Sequence, residues 1–169
     1  VTVPSFEQLE TFLYKTPTPF VAFDIETDGI NSLTCNMRCI CFATADTVLV
    51  VPFRSTKPVA GGTFRTLGRF GEPYSYYGSQ EAQAIWNLIK HWLQDTTKLK
   101  VGHNSRYFDA CVLMREFNIP IIECHADTIV MFRGCHSELR RDLYTLGTTY
   151  TDVRDWKVAG DEHRSIGVE

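Results

Sequence analysis

The sequence predicts an α/β fold: a mixed β-sheet flanked by α-helices. Three observations predict it. Residues Phe20 to Glu26 alternate between two faces, as a half-buried strand does. Two more runs, Met37–Thr44 and Thr47–Phe53, are rich in Ile, Val, Phe and Cys and are joined by only Ala45-Asp46. Beyond them, helical and strand-like patterns alternate, which is how a sheet acquires helices on its faces.

Each element has its own signal. In the first strand Phe20, Ala22, Asp24 and Glu26 share one face, and Val21, Phe23 and Ile25 share the other. Thr27-Asp28-Gly29 breaks it. The short link at 45–46 makes the next two strands an antiparallel hairpin. Residues 54–80 show no periodicity and are punctuated by Gly61-Gly62, Gly68, Gly71, Pro73 and Gly78, so they read as a long loop. Ile85, Leu88, Ile89, Trp92 and Leu93 form the apolar stripe of a helix, with Ser79 as its cap. Leu99–Gly102 reads as a short strand. Asn104 or Ser105 then caps a second helix reaching Phe117, which Asn118 and Pro120 end. Asp127-Thr128 opens a third helical run, with Asp127 as its cap, and Leu143, Leu146 and Tyr150 mark a fourth.

Composition sets the class. The chain of 169 residues is 44% hydrophobic and 22% charged, which gives one ordinary globular domain over 1–169. The net charge of −3 excludes a generic basic coat for nucleic acid. It leaves room for a site built of carboxylates. No apolar run approaches the ~20 residues that cross a bilayer, and no basic start with an apolar core marks a leader. No membrane partner is expected, and the expected location is the cytoplasm of a bacterial or phage-infected cell, or an organelle. The six cysteines form no CxxC pair and read as buried reduced thiols. Cys124-His125 and Cys135-His136 lack a standard zinc spacing.

Two short segments carry chemistry. In Phe23-Asp24-Ile25-Glu26-Thr27 both carboxylates sit side by side on one strand face. Like charges so close disfavour joint ionisation, and a hard divalent cation such as magnesium removes the conflict. Gly102-His103-Asn104-Ser105-Arg106-Tyr107-Phe108-Asp109 lies where a short strand meets a helix, and Asp109 is the single charge in the otherwise apolar run Tyr107 to Met114. An acid in a first helical turn is also favoured by the helix dipole. A third suspect is the 54–77 loop, where Arg54, Lys57, Arg65 and Arg69 interleave with Phe64, Phe70, Tyr74, Tyr76 and Tyr77. Cations on phosphates and aromatic rings on bases hold single strands without sequence preference.

A D-x-E strand followed, after a hairpin and a helix, by H-N-x-x-x-F-D resembles the first two motifs of the DEDD superfamily of 3′–5′ exonucleases. Val51-Pro52-Phe53, Tyr77-Gly78-Ser79, Asp127-Thr128 and Trp156-Lys157 extend the resemblance over Phe20–Lys157. It is nearest to the proofreading domains of phage-like family A DNA polymerases. The resemblance implies a ribonuclease-H-like fold and two divalent ions, Mg2+ or Mn2+. It implies Asp24, Glu26 and Asp109 as catalytic metal ligands, with Asn104, Thr27 and Phe108 near the terminal nucleotide. Arg65 and Arg69 join them as substrate-binding residues from the basic loop. The implied reaction is two-metal-ion removal of nucleotides from a DNA 3′ end, with a polymerase domain of the same parent chain as partner. A ribonuclease D-like RNA exonuclease and a non-catalytic single-strand-binding or scaffolding module of a polymerase are the alternatives.

The family's fourth carboxylate lies in a third motif, Tyr-x-x-x-Asp or His-x-x-x-x-Asp. Neither form occurs after Asp109: Tyr150 to Asp155 is one residue too long, and Arg141 stands where His136 would need an acid. With Val1 at its start, the chain therefore reads as a piece of a longer polymerase that stops before this motif, weak or inactive alone.

Overall fold

The computed structural model describes residues 3–55, 63–64, 74–120 and 126–152. The chain divides into two compact units, Val1–Asp127 and Thr128–Glu169. The first unit holds a five-stranded sheet made of β1 (Val21–Thr27), β2 (Met37–Ala43), β3 (Val48–Pro52), β7 (Lys100–Gly102) and β8 (Ala126–Asp127). Their spatial order is β3-β2-β1-β7-β8. The β1–β2 and β2–β3 pairs are antiparallel, and the β1–β7 and β7–β8 pairs are parallel. This is the mixed sheet the alternation predicts.

The strands form where expected because one face of β1 is dry and the other wet. Val21, Phe23 and Ile25 are buried, whereas Asp24 and Glu26 are exposed. The buried face packs on Ile40 and Phe42 of β2 and on α2 (Ser79–Gln94), whose Ile85, Ile89, Trp92 and Leu93 have no solvent exposure. Trp92 meets Phe23 and Phe42 edge-on, with ring centroids 6.3 and 5.3 Å away. Lys100 is also fully buried. Its Nζ donates to the Asp95 and Lys98 carbonyls at 2.6 and 3.0 Å and lies 5.3 Å from the Trp92 ring centroid. Carbonyl dipoles and a π-face replace the water an ammonium loses on burial.

Several boundaries differ from the sequence expectation. A helix, α1 (Phe6–Glu10), precedes the sheet and continues as a π-helical stretch over Thr11–Lys15. Ser5 and Gln8 form a capping box at its start, with bonds of 2.9 and 3.3 Å. The 54–80 stretch is not wholly irregular. β4 (Arg54–Ser55), β5 (Thr63–Phe64) and β6 (Tyr74–Ser75) form a small antiparallel sheet. Two-residue strands are too short to leave a periodic signal. The cap of α2 is Gly78 rather than Ser79.

Arg54 is not a free cation of a basic loop. Its side chain pairs with Glu116 on α3 (Asp109–Phe117), and both side chains are nearly inaccessible. Glu116 also accepts the Met37 N–H at 2.9 Å, so the pair locks α3 to β2. Trp86 stacks between Phe53 and Phe117, each centroid 4.1 Å away, on the same side of the unit.

In the second unit α4 (Thr128–Cys135) and α5 (Leu143–Tyr150) meet through Phe132, His136 and Tyr150. The His136 ring Nε2 and the Tyr150 hydroxyl share a hydrogen bond at 2.8 Å. The Asp142 carboxylate caps α5 by accepting the Thr145 N–H at 3.0 Å. No helix among the described residues is long and apolar enough to cross a membrane.

Candidate active site

The parallel half of the sheet brings the two chemical segments together. β1 carries Asp24 and Glu26, and its neighbour β7 leads through a turn at 103–108 into α3. Asp109 is the first residue of α3 and is only 2% exposed. Its Oδ1 accepts the Ile25 N–H at 3.0 Å. A carboxylate 84 residues downstream is thus tied to the peptide between Asp24 and Glu26.

Electrostatics at this point are unresolved in the literal sense. Burial, and then the charge of Asp24, push the Asp109 carboxyl up to about 7, against the pull of the Ile25 N–H. Asp24 is raised as well, first by burial of its surroundings, although much of its own surface faces solvent, and then by Glu26. Asp24 thus holds Asp109 toward the neutral form, as Glu26 does Asp24. Such crowding of acids is common at functional sites, because a folded chain otherwise avoids it.

The donor set fits a hard divalent cation: three carboxylates, with no imidazole among them. Among the described residues no three such side chains already stand close enough to enclose an ion. The acids are gathered at one end of the sheet without being closed into a centre.

The remaining expected residues fall into three groups. Thr27 lies at the end of β1 beside a register shift, and its hydroxyl donates to the Gly29 carbonyl at 2.6 Å. Asn104 and Phe108 lie in the turn before Asp109, with Phe108 half-buried against the core. Arg65 and Arg69 lie outside the described residues, as do Lys157 and the Cys124-His125 pair. Asn104 and Ser105 do not cap α3, which begins later, at Asp109. The reason is local: Asn104 sits in the left-handed region with φ 61°, and its carbonyl accepts the N–H groups of Tyr107 and Phe108. The chain makes a tight turn there before the helix can start.

Two features escaped sequence reasoning. Asp127, read as a helix cap, is 4% exposed and binds the Asn104 and Arg106 backbone N–H groups at 3.0 and 3.1 Å. Cys39 and Cys41 are half-buried rather than core thiols, and register places them opposite Glu26 and Asp24. Cys111 and Cys135, also expected inside, are exposed. The strand alternation of Cys39 and Cys41 was the available signal for the pair. Asp127 left none, because its partners are 23 and 21 residues upstream.

No protein-family model matches the chain, and no curated protein matches it. Solved structures do. Brucella melitensis NrnC, known with bound Mg2+ and bound to pGG, matches with a TM-score of 0.55; with Mg2+ it is 22% identical, over 83% of this chain and 57% of that one. The catalytic core of RRP6 from Trypanosoma brucei matches at 16% identity with a TM-score of 0.57, over 90% of this chain and 36% of that one. Escherichia coli RNase D, an exoribonuclease, matches at 14% identity with a TM-score of 0.56, over 89% and 33%. This chain thus spans little more than half the length of these proteins, or less. At such identities the likeness is one of architecture, and the chain has the ribonuclease-H-like fold that these nucleases share.

Proposed function

We propose that the chain is a metal-dependent 3′–5′ exonuclease domain acting on single-stranded nucleic-acid ends. The observation that supports this most is Asp109: a buried carboxyl pushed up to about 7 by burial and by Asp24, at the sheet end where Glu26 also lies. A fold with no use for cations at this place would be more stable with a neutral residue there. Asp24, Glu26 and Asp109 would hold the ions. Bound divalent ions supply charge neutralisation at the phosphate and an acidified water at neutral pH.

The chain's own residues do the rest. Asp109 would help to hold the ions, and the Ile25 N–H, donating to its Oδ1, fixes its orientation. Glu26 projects from the exposed face of β1 toward solvent, where a chain end can reach it. Asn104, Thr27 and Phe108 line the approach from the two adjoining turns. Arg65 and Arg69 are proposed to track phosphates. The resemblance to polymerase proofreading domains favours a DNA 3′ end, with a polymerase domain as covalent partner. RNA is the second reading, and it is favoured by the fold likeness to an exoribonuclease, RNase D.

The test is digestion of 5′-labelled DNA and RNA oligonucleotides in Mg2+, in Mn2+ and in chelator. A ladder shortening from the 3′ end, requiring metal, is expected, and it should be slow because neither form of the third motif occurs after Asp109. Asp24→Ala should lower its rate sharply, because ligand loss removes one clamp on the phosphate. Cleavage that survives chelator, or that Asp24→Ala leaves intact, would overturn the proposal. Metal-independent strand binding without cleavage would point to a scaffolding module instead.

A further inference from the structure

We propose that Asp127 is a positioning residue of the acidic site, holding the 104–106 turn so that Asp109 and Asn104 are presented to metal and substrate. For its substrate this role rests on the exonuclease reading. Asp127 ends β8 and is the register partner of Gly102 at the end of β7. Its side chain is buried. Oδ1 accepts the Asn104 N–H at 3.0 Å, and Oδ2 accepts the Arg106 N–H at 3.1 Å. One carboxylate therefore grips two alternate peptides of a single turn.

The backbone of that turn is unusual. Asn104 adopts a left-handed conformation that a non-glycine residue rarely takes without support. Its carbonyl accepts from Tyr107 and Phe108, and the Ser105 carbonyl accepts from Ala110, so the turn passes directly into the first turn of α3. Ser105 is buried against Gly102, where a Cβ would lie 2.3 Å from its Oγ. The glycine contact beneath and the Asp127 carboxylate beside it both anchor the path from β7 to Asp109. Groups one step removed from a metal ligand commonly change affinity by about ten- to a hundredfold when lost.

The experiment uses the full chain carrying Asp127→Ala, Asp127→Asn, Asp109→Asn or Asp142→Ala. Mn2+ affinity is read by electron paramagnetic resonance, folding by thermal melting, and exonuclease rate as a function of Mn2+. Asp127→Ala should weaken Mn2+ binding about tenfold. Asp127→Asn keeps one acceptor and should fall between it and the parent. Raised Mn2+ should restore much of the rate of both. Asp142→Ala removes a carboxylate that also binds a backbone N–H, but in α5, and should leave Mn2+ affinity unchanged. Parental affinity in a folded Asp127→Ala chain overturns the proposal. If that variant does not fold, parental affinity in Asp127→Asn overturns it. A parent chain without Asp109-dependent Mn2+ binding overturns it too. Weakened binding in a chain that cleaves nothing would leave the positioning role standing and remove the exonuclease reading.

Discussion

Replacing Asp109 by Asn should make the metal-free chain more stable at pH 8 and leave it nearly unchanged near pH 4. The Asp109 carboxyl titrates at about 7 in the fold and at 3.8 when unperturbed. Between these values the folded chain holds a proton that the unfolded chain has released. Stability therefore falls as pH rises through this window, and the loss is complete above about 7. The displacement corresponds to about 4 kcal/mol if taken in full. Relaxation of the site and entry of water reduce it, so about 2–4 kcal/mol is expected. Asparagine keeps an oxygen for the Ile25 N–H and carries no charge to repel Asp24. The assay is urea unfolding of both chains in chelator from pH 4 to 8.5. Their stabilities should diverge with rising pH, and Mn2+ added at pH 8 should restore the parent chain but not the variant. Parallel pH profiles would refute the reasoning, because they would mean that Asp109 is ionised at no cost.

The other perturbations probe the frame around this residue. Gly102→Ala puts a methyl 2.3 Å from Ser105 Oγ and 2.4 Å from its Cβ. Urea unfolding should show a loss of about 1–3 kcal/mol, the usual penalty of overpacking. Arg54→Met strands the buried Glu116 carboxylate and should cost about 3–5 kcal/mol, with Arg54→Met/Glu116→Met recovering part of it. A folded Arg54→Met chain of parental stability would mean the pair contributes nothing.

What the sequence revealed follows physical range. β1 was legible because its two faces differ in solvent exposure at every step, and the same period put Asp24 beside Glu26. α2 was legible because its buried stripe keeps helical spacing. α1 carried the same kind of signal, with Ser5 and Gln8 as a capping box and Leu9, Phe12 and Leu13 at helical spacing, but the expected elements began only at Phe20. The start of α3 was misplaced for another reason. Asn and Ser before an apolar run ordinarily cap a helix, but here a carboxylate from another strand bends the chain first. The Arg54–Glu116 pair was hidden in the same way: a loop arginine and a helix glutamate reveal nothing of each other along the chain.

Titration directions separate acids matched by donors near in sequence from acids crowded by other acids. At Asp28 burial is outweighed by the hydrogen bonds of Asn36 and the charge of Arg38, and the carboxyl is lowered. Asp95 is lowered by the Thr97 hydroxyl and, with burial opposing, by the Thr97 N–H. Asp142 is lowered by the Thr145 N–H. Each closes a local turn or cap, and its charge is used by donors a few residues away. Among the described residues the aspartates raised are Asp24, by burial and then by Glu26, and Asp109, by burial and then by Asp24. A chain selected only for folding would gain by neutralising either one, since a lone buried charge is costly and a like-charged neighbour adds to the cost. Their joint retention at the point where β1 meets the entry to α3 makes sense if the missing positive charge arrives from outside the chain.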